Sequence, residues 1–95
     1  MEHQIEHQET GAEGAFYIQR GSQRIAQMTY RRASEALITI EHTDVDASLS
    51  GQGVGRSLLH ALVSWARTTG TKVVAQCPFA KAQFGKDASI RDVLA

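Results

Sequence analysis

The alternation of apolar and polar residues predicts an antiparallel meander in the first half of the chain. Side chains of a strand alternate between its two faces with a period of two. Three runs show this alternation or are rich in β-branched and aromatic residues, and they cover residues 15–20, 23–32 and 36–45. Gly21-Ser22 is typical of a hairpin turn between the first two runs, and Ala33-Ser34 marks a turn before the third.

The third predicted strand carries the first candidate for proton transfer. Its alternation places Ile38, Ile40 and His42 on one face and Glu41 on the other. An imidazole exchanges protons near neutral pH, which makes His42 a candidate base. The alternative is a histidine that closes the strand and bonds the following turn.

The second half of the chain changes to a helical period. Apolar residues recur at helical spacing along 54–66, and they predict an amphipathic helix over 53–69 that Gly70 ends. The run 71–77 is typical of a buried strand, so a strand–helix–strand unit makes the last two strands parallel. One or two short helices are expected over 79–95. The predicted fold class is therefore α/β with a mixed sheet.

The length of the chain limits it to one small domain. It has 95 residues, of which 42% are hydrophobic, and this supplies one core. Residues 1–13 carry four glutamates and little apolar content, so we expect a flexible tail before a single domain over 14–95. His3 and His7 have a spacing that can chelate a metal on a helix. No cysteine or carboxylate constellation joins them, so we expect no metal site.

Charge and cysteine content exclude several kinds of partner. Ten basic residues balance ten acidic ones, without the basic excess of a nucleic-acid-binding protein. The single cysteine, Cys77, cannot form an intramolecular disulfide. No apolar run reaches the roughly 20 residues of a membrane span. We therefore expect a cytoplasmic monomer that binds neither nucleic acid nor a membrane.

The glycine-rich segment between the third strand and the helix is the most informative motif. Residues 50–56 read Ser-Gly-Gln-Gly-Val-Gly-Arg. Glycines let the backbone adopt positive φ and approach a ligand, and the free N–H groups of a helix start bind anions. The spacing Gly-x-Gly-x-Gly matches neither the dinucleotide fingerprint nor the P-loop. The motif predicts a phosphate or pyrophosphate site, unless the glycines merely turn the chain.

This segment resembles the coenzyme A signature of the GNAT superfamily of N-acetyltransferases, Arg/Gln-x-x-Gly-x-Gly/Ala at the start of the central helix. Gly53 and Gly55 match its two glycines, and Ser50 stands where arginine or glutamine is usual. The segments His42-Thr43-Asp44-Val45 and Cys77-Pro78-Phe79 resemble those of a YjdJ-like branch of very small single-domain members.

The resemblance implies acetyl transfer from acetyl-CoA to an unidentified amine. It also implies a GNAT-like meander followed by a βαβ unit, whose last two strands splay around coenzyme A used as a cosubstrate. No metal is implied. The residues expected to bind the cofactor lie on the glycine-rich segment and on the two strand ends, and they are Val45, Ser50, Gly51, Gln52, Gly53, Val54, Gly55, Arg56, Pro78 and Phe79.

His42 and Cys77 are the candidate catalytic residues. Both come at the carboxyl ends of strands that are expected to be neighbours, which is the usual ligand edge of such sheets. Cys77 can carry the acetyl group or protonate the coenzyme A thiolate, and its alternative is a small buried apolar residue. We expect His42 to lie beside Cys77. The tyrosine that many members use as general acid is absent from 79–87.

A second class of function stays open at this stage. A chain this short predicts no helices before the meander that would build the acceptor pocket of ordinary members. The domain can therefore be a non-catalytic sensor of coenzyme A or acyl-CoA. It can also be a protein-interaction module that uses surface aromatic and arginine residues, namely Tyr17, Tyr30, Arg20, Arg24, Arg31 and Arg32.

Overall fold

A computed structural model describes residues 4–95 as a five-stranded sheet whose strands follow sequence order. Strands β1 to β4 are antiparallel, and β5 is parallel to β4, so the predicted mixed α/β fold is confirmed. The elements are β1 (Glu6–Thr10), β2 (Glu13–Arg20), β3 (Gln23–Ser34), β4 (Leu37–Val45), a 3₁₀ helix (Ala47–Leu49), α1 (Val54–Thr69), β5 (Lys72–Ala75), α2 (Pro78–Lys86) and a second 3₁₀ helix (Ala88–Val93). None of the helices within residues 4–95 is long and apolar enough to cross a membrane.

The core lies between one face of the sheet and the apolar stripe of α1. Leu58 and Leu62 are fully buried on that stripe, where the core also contains Ile38 and Ile40 of β4 and Val73 of β5. Burying one such side chain contributes roughly 1.5–3 kcal/mol. The helix lies within one residue of its predicted bounds because its period of apolar residues is a local property of the sequence.

Strand β1 lies inside the segment expected to be a flexible tail, so the structure differs from that expectation. Glu6–Thr10 pairs antiparallel with β2. The His7 ring stacks on Phe16 with centroids 4.1 Å apart and meets the edge of Trp65 at 5.0 Å. These partners are distant in sequence, so local composition does not show them. His3, the other half of the candidate chelating pair, lies outside the described residues.

Tyr30 of β3 fastens β1 to the sheet by its hydroxyl group. This hydroxyl donates to Oε2 of Glu9 at 2.9 Å and lies 2.7 Å from Nε2 of His7. Because its proton goes to the carboxylate, His7 Nε2 is the donor in the second bond. Arg32 Nε donates to the same carboxylate at 2.7 Å, and this bond holds the pKa of Glu9 below its usual range. Burial raises the pKa of Tyr30 well above its ordinary value.

The turn between β3 and β4 lies later than predicted. β3 extends through Ser34, and the turn falls at Glu35-Ala36 instead of Ala33-Ser34. Ser34 still pairs with Leu37, and Arg32 donates to the Glu35 carbonyl oxygen at 2.7 Å. These bonds extend the pairing of β3 with β4 as far as Ser34, whereas the residue types at Ala33-Ser34 had predicted that the strand ends before them.

A bulge in β4 reverses the direction of the side chains at its carboxyl end. The register shifts between the pair made by Ile40 and the pair made by His42, so Glu41 is an extra residue. Beyond the bulge, Thr43 lies opposite the fully buried Met28 and takes the helix-covered face. His42, one position earlier, therefore lies on the other face. The prediction that His42 shares a face with Ile40 is wrong.

Candidate functional site

The parallel strands β4 and β5 separate where their pairing ends, at Ile40 and Ala75. The N–H groups of Gln76 and Cys77 both donate to the Ile40 carbonyl oxygen, each at 3.0 Å. Because these two hydrogen bonds share one acceptor, the regular pairing of β5 with β4 stops here and the chain turns away from β4. This is why β5 ends before the predicted residue 77. The resulting space, the β4–β5 gap, lies at the carboxyl edge where open α/β sheets bind ligands.

A groove of about 470 Å³ opens beside the gap, and we call it the α1 groove. Its walls are the end of β4, the glycine-rich turn with the start of α1, and the first turns of α2. It brings together most of the residues predicted to bind a cofactor, namely Val45, Ser50, Gly51, Gly53, Val54, Gly55, Arg56 and Phe79. Gln52 and Pro78 were predicted too, but they are not part of its lining.

Sequence reasoning missed three residues that line the α1 groove: Thr43, Leu49 and Gln83. Gln83 was open to prediction, since it lies four positions after Phe79 and this spacing places both on one face of a helix. Thr43 could not be predicted, because the face of β4 on which its side chain lies depends on the bulge.

The three glycines of the turn have two different physical roles. Gly51 and Gly53 have φ angles of 79° and 68°, which residues with a Cβ atom rarely adopt. Gly55 instead makes room, since a Cβ atom there would lie 2.9 Å from Cζ of Phe79. The first two glycines therefore shape the turn, and the third lets α2 approach α1.

The amino end of α1 offers N–H groups to a ligand. Its N-cap is Gly53, no side chain caps it, and no acidic residue lies in its first turn. The N–H of Ser57 donates to the Gly53 carbonyl, so the preceding N–H groups of Val54, Gly55 and Arg56 have no acceptor within the helix. Together with the positive end of the helix dipole and the Arg56 guanidinium, they form a site suited to an anion.

Cys77 lies at the β4–β5 gap, where it is the N-cap residue of α2 and is 4% exposed. Its Sγ lies 3.3 Å from Oγ1 of Thr43, within hydrogen-bond distance for sulfur. The thiol therefore contacts Thr43 rather than His42. The expected pairing of His42 with Cys77 is wrong, because the bulge turns the imidazole to the opposite face of the sheet.

His42 and Glu41 line a second concavity of about 470 Å³, which we call the open-face concavity. It lies over β1 to β4, and β1 forms one of its walls. The Arg31 guanidinium lies 3.9 Å from Glu13 and 3.7 Å from Glu41. Such exposed pairs add little stability, but they leave a polar surface of nearly balanced charge. Within residues 4–95 no cluster of side chains is suited to hold a metal ion.

Comparison with known families adds the decisive observation. The family model of GCN5-related N-acetyl-transferases matches residues 15–93, from β2 to the last helix. The chain belongs to the GCN5-related N-acetyltransferase family. Membership implies acetyl transfer that depends on acyl-CoA, and the family uses acetyl-CoA. The resemblance found in the glycine-rich turn is thereby confirmed at the level of the family. Among curated protein sequences, none matches this chain.

Solved structures of this family share the fold. A GCN5-like protein from Staphylococcus aureus is 38% identical, with a TM-score of 0.74, over 95% of this chain and 87% of that one. A ribosomal-protein-alanine N-acetyltransferase from Brucella melitensis biovar Abortus 2308 is 18% identical, with a TM-score of 0.60, over 70% of this chain and 51% of that one.

A further acetyltransferase, from Elizabethkingia anophelis, has acetyl-CoA bound. It is 14% identical, with a TM-score of 0.60, over 79% of this chain and 52% of that one. This chain thus spans about half the length of the two longer enzymes, from Brucella and Elizabethkingia, whose likeness concerns the fold alone.

Proposed function

We propose that this protein transfers the acetyl group of acetyl-CoA to an amine, with the α1 groove as its cofactor site. The observation that carries the proposal is a groove that reaches from Thr43, which contacts the Cys77 thiol, to the uncapped amino end of α1. We also assign the chain to the small single-domain branch of the family. That assignment rests on the sequences around His42 and Cys77.

The residues of the α1 groove suit the two chemically different parts of coenzyme A. N–H groups of Val54, Gly55 and Arg56 would hold the pyrophosphate, and the Arg56 guanidinium adds charge attraction. Ser50 replaces the usual arginine or glutamine of the signature, so the main chain carries more of this binding. Val45 is 38% exposed and gives the pantetheine arm an apolar contact in the gap.

Cys77 has two chemically balanced roles in this proposal. As acetyl carrier, its Sγ bonds the acetyl carbon while the bond from that carbon to the coenzyme A sulfur breaks, and the thiol proton ends on the coenzyme A sulfur. An amine then takes the acetyl group, and one of its protons restores the thiol. As an acid, Cys77 instead protonates the leaving coenzyme A sulfur while the amine attacks the thioester directly, and the proton that the amine loses restores the thiol.

His42 belongs to the acceptor side of the same proposal. It is exposed on the face opposite α1 and lines the open-face concavity with Glu41. From this position it would take a proton from an ammonium group that reaches the gap from the open face. This role does not need contact with Cys77, so it stands although the predicted pairing was wrong.

Calorimetry with acetyl-CoA, coenzyme A and ATP tests the cofactor site first. We expect acetyl-CoA and coenzyme A to bind and ATP to bind more weakly. Failure of acetyl-CoA to bind at high micromolar concentration would contradict the proposal.

Release of free coenzyme A with a panel of acceptors then tests catalysis. The panel contains a polyamine, an aminoglycoside, a lysine peptide and a peptide with a free amino terminus. Release above the rate of buffer hydrolysis with at least one acceptor is expected. Binding without any release would favour a sensor of acyl-CoA instead.

The roles of Cys77 are separated by Cys77→Ala and Cys77→Ser. Intact-mass measurement after incubation with acetyl-CoA should show one added acetyl group on the wild type if the thiol is a carrier, and none on the alanine variant. Unchanged turnover in both variants would rule out a chemical role for this thiol.

A further inference from the structure

We infer that Thr43 is the positioning residue that holds the Cys77 sulfur ready for reaction at the β4–β5 gap. The inference deepens the proposed function and rests on it, since it names the partner of the thiol that this function uses. Three observations carry it: the bulge, the fixed backbone of Cys77 and the contact between the two side chains.

The bulge is what brings Thr43 to the gap. If Glu41 were paired regularly with β3 and formed no bulge, the alternation of β4 would send His42 to the helix-covered face and Thr43 to the other. With it, Thr43 lies opposite Met28, its side chain is partly buried, and it lines the α1 groove. A hydroxyl group therefore occupies the place where sequence reasoning expected an imidazole.

The backbone of Cys77 is held independently of its side chain. Its N–H is bonded to the Ile40 carbonyl, and its own carbonyl oxygen accepts from the N–H of Lys81 in the first turn of α2, both at 3.0 Å. What is left free is rotation about the Cα–Cβ bond of the cysteine. The Thr43 hydroxyl, 3.3 Å from Sγ, fixes that rotation.

A hydroxyl group suits this task chemically. It both donates and accepts, so it stays bonded to sulfur whether the thiol proton is present or has moved to the coenzyme A sulfur. Threonine is branched at Cβ and has few side-chain conformations, which makes it a stiff support. Thr43 takes no proton and forms no bond to the acetyl group, so both balanced roles of Cys77 are compatible with it.

Alkylation of Cys77 tests the inference without any cofactor. The chain has one cysteine, so intact-mass measurement with iodoacetamide follows a single thiol. Thr43→Val keeps the shape and removes the hydroxyl, and we expect alkylation to slow about tenfold, the effect of losing one hydrogen bond. Thr43→Ser keeps the hydroxyl and should stay within about twofold of the wild type by the same reasoning.

Two outcomes of the alkylation experiment would overturn the inference. One is an equal rate in the valine variant and the wild type. The other is a wild-type thiol that does not react at all, because such a sulfur is not presented to the groove. Circular dichroism and urea unfolding show whether the valine variant is folded. If it is not, the alkylation rate of the serine variant is compared with that of the wild type instead.

Kinetics with acetyl-CoA then separate positioning from binding. Thr43→Val should lower the maximal rate of acetyl transfer about tenfold while the Kd for coenzyme A stays within about twofold, and serine should restore the rate. A valine variant with an unchanged maximal rate contradicts the role of Thr43 alone. Loss of acetyl-CoA binding by the wild type contradicts the proposed function instead, and calorimetry distinguishes the two failures.

Discussion

Gly55 shows at the scale of one residue why a motif position has to be small. Its neighbours Gly51 and Gly53 are glycines because of their positive φ, whereas Gly55 is limited by the ring of Phe79. The sequence motif does not distinguish these reasons. The two reasons predict different effects of substitution. A side chain at Gly51 or Gly53 would strain the backbone of the turn, whereas a side chain at Gly55 would displace the wall of the α1 groove.

Gly55→Ala should therefore weaken cofactor binding more than it destabilises the fold. The new methyl group forces the Phe79 ring or α1 to move and so changes the wall of the groove. We expect the Kd for acetyl-CoA to rise about tenfold, or about 1.4 kcal/mol. Gly85→Ala is the matched control, since a Cβ there meets nothing within 4 Å. Equal affinity in both variants, measured by calorimetry, would contradict this role of Gly55.

Arg56 is the residue that should make cofactor binding sensitive to salt. Arg56 belongs to the first turn of α1 and lines the groove in which the pyrophosphate is proposed to bind. Arg56→Gln should weaken acetyl-CoA binding about two- to fivefold at low salt, and the difference should shrink above physiological ionic strength as charges are screened. Lys86→Gln, at the far end of α2, serves as the control. A loss that is independent of salt would argue against a charge contact.

Strand β1 shows at the scale of an element how a polar segment joins a sheet. Its composition is that of a solvated tail, and its burial is slight. It is held by main-chain pairing, by the stacking of His7 on Phe16, and by the bonds of Tyr30 and Arg32 to Glu9. Since β1 also forms a wall of the open-face concavity, its docking is expected to shape that concavity.

Removing the Tyr30 hydroxyl should loosen β1 specifically. Tyr30→Phe keeps the buried ring and deletes the bonds to Glu9 and His7, so we expect a loss of about 1 kcal/mol in the free energy of unfolding. Hydrogen exchange should rise in Glu6–Thr10 more than in β4. Tyr17→Phe is the control, because the Tyr17 ring contacts Arg24 by its face instead of its hydroxyl. Equal urea midpoints for Tyr30→Phe and the wild type would contradict the prediction.

The stability of the whole molecule should fall at mildly acidic pH through His7. Burial lowers its pKa below the ordinary 6.5, against the attraction of Glu9 and together with the repulsion of Arg32. The unfolded chain therefore binds a proton at a higher pH than the folded protein does. The free energy of unfolding is fully retained above pH 6.5 and decreases as the pH falls from 6.5 through the lower folded-state pKa.

A substitution isolates this contribution from the other histidines. His7→Phe keeps an aromatic ring for stacking and removes the titration, so urea unfolding of this variant should depend less on pH in that window than the wild type. Parallel curves for the two proteins would contradict the assignment to His7. At still lower pH both should weaken together, because the pKa of Glu9 is held down by Arg32 and that stability is lost on its protonation.

The order of elements from β2 to α2 and the position of the glycine-rich turn were predictable from local pattern. The apolar stripe of α1 and the glycines at 51–55 are local features of the sequence. They predicted the bounds of the helix to within one residue. The bulge at Glu41 and the ending of β5 were not predictable. Both depend on how the β4 backbone pairs with two other strands, and side-chain order along one strand does not record that pairing.

The sequence by itself determined the meander, the helix and the glycine-rich turn, because periodicity and backbone freedom act over a few neighbouring residues, and the resemblance of its motifs indicated the family. Only the tertiary structure decided that β1 joins the sheet and that Thr43 rather than His42 meets Cys77. One inserted residue in β4 exchanges the two faces of the strand, and its position is fixed by pairing with β3. Long-range pairing thus chose which side chain stands beside the thiol.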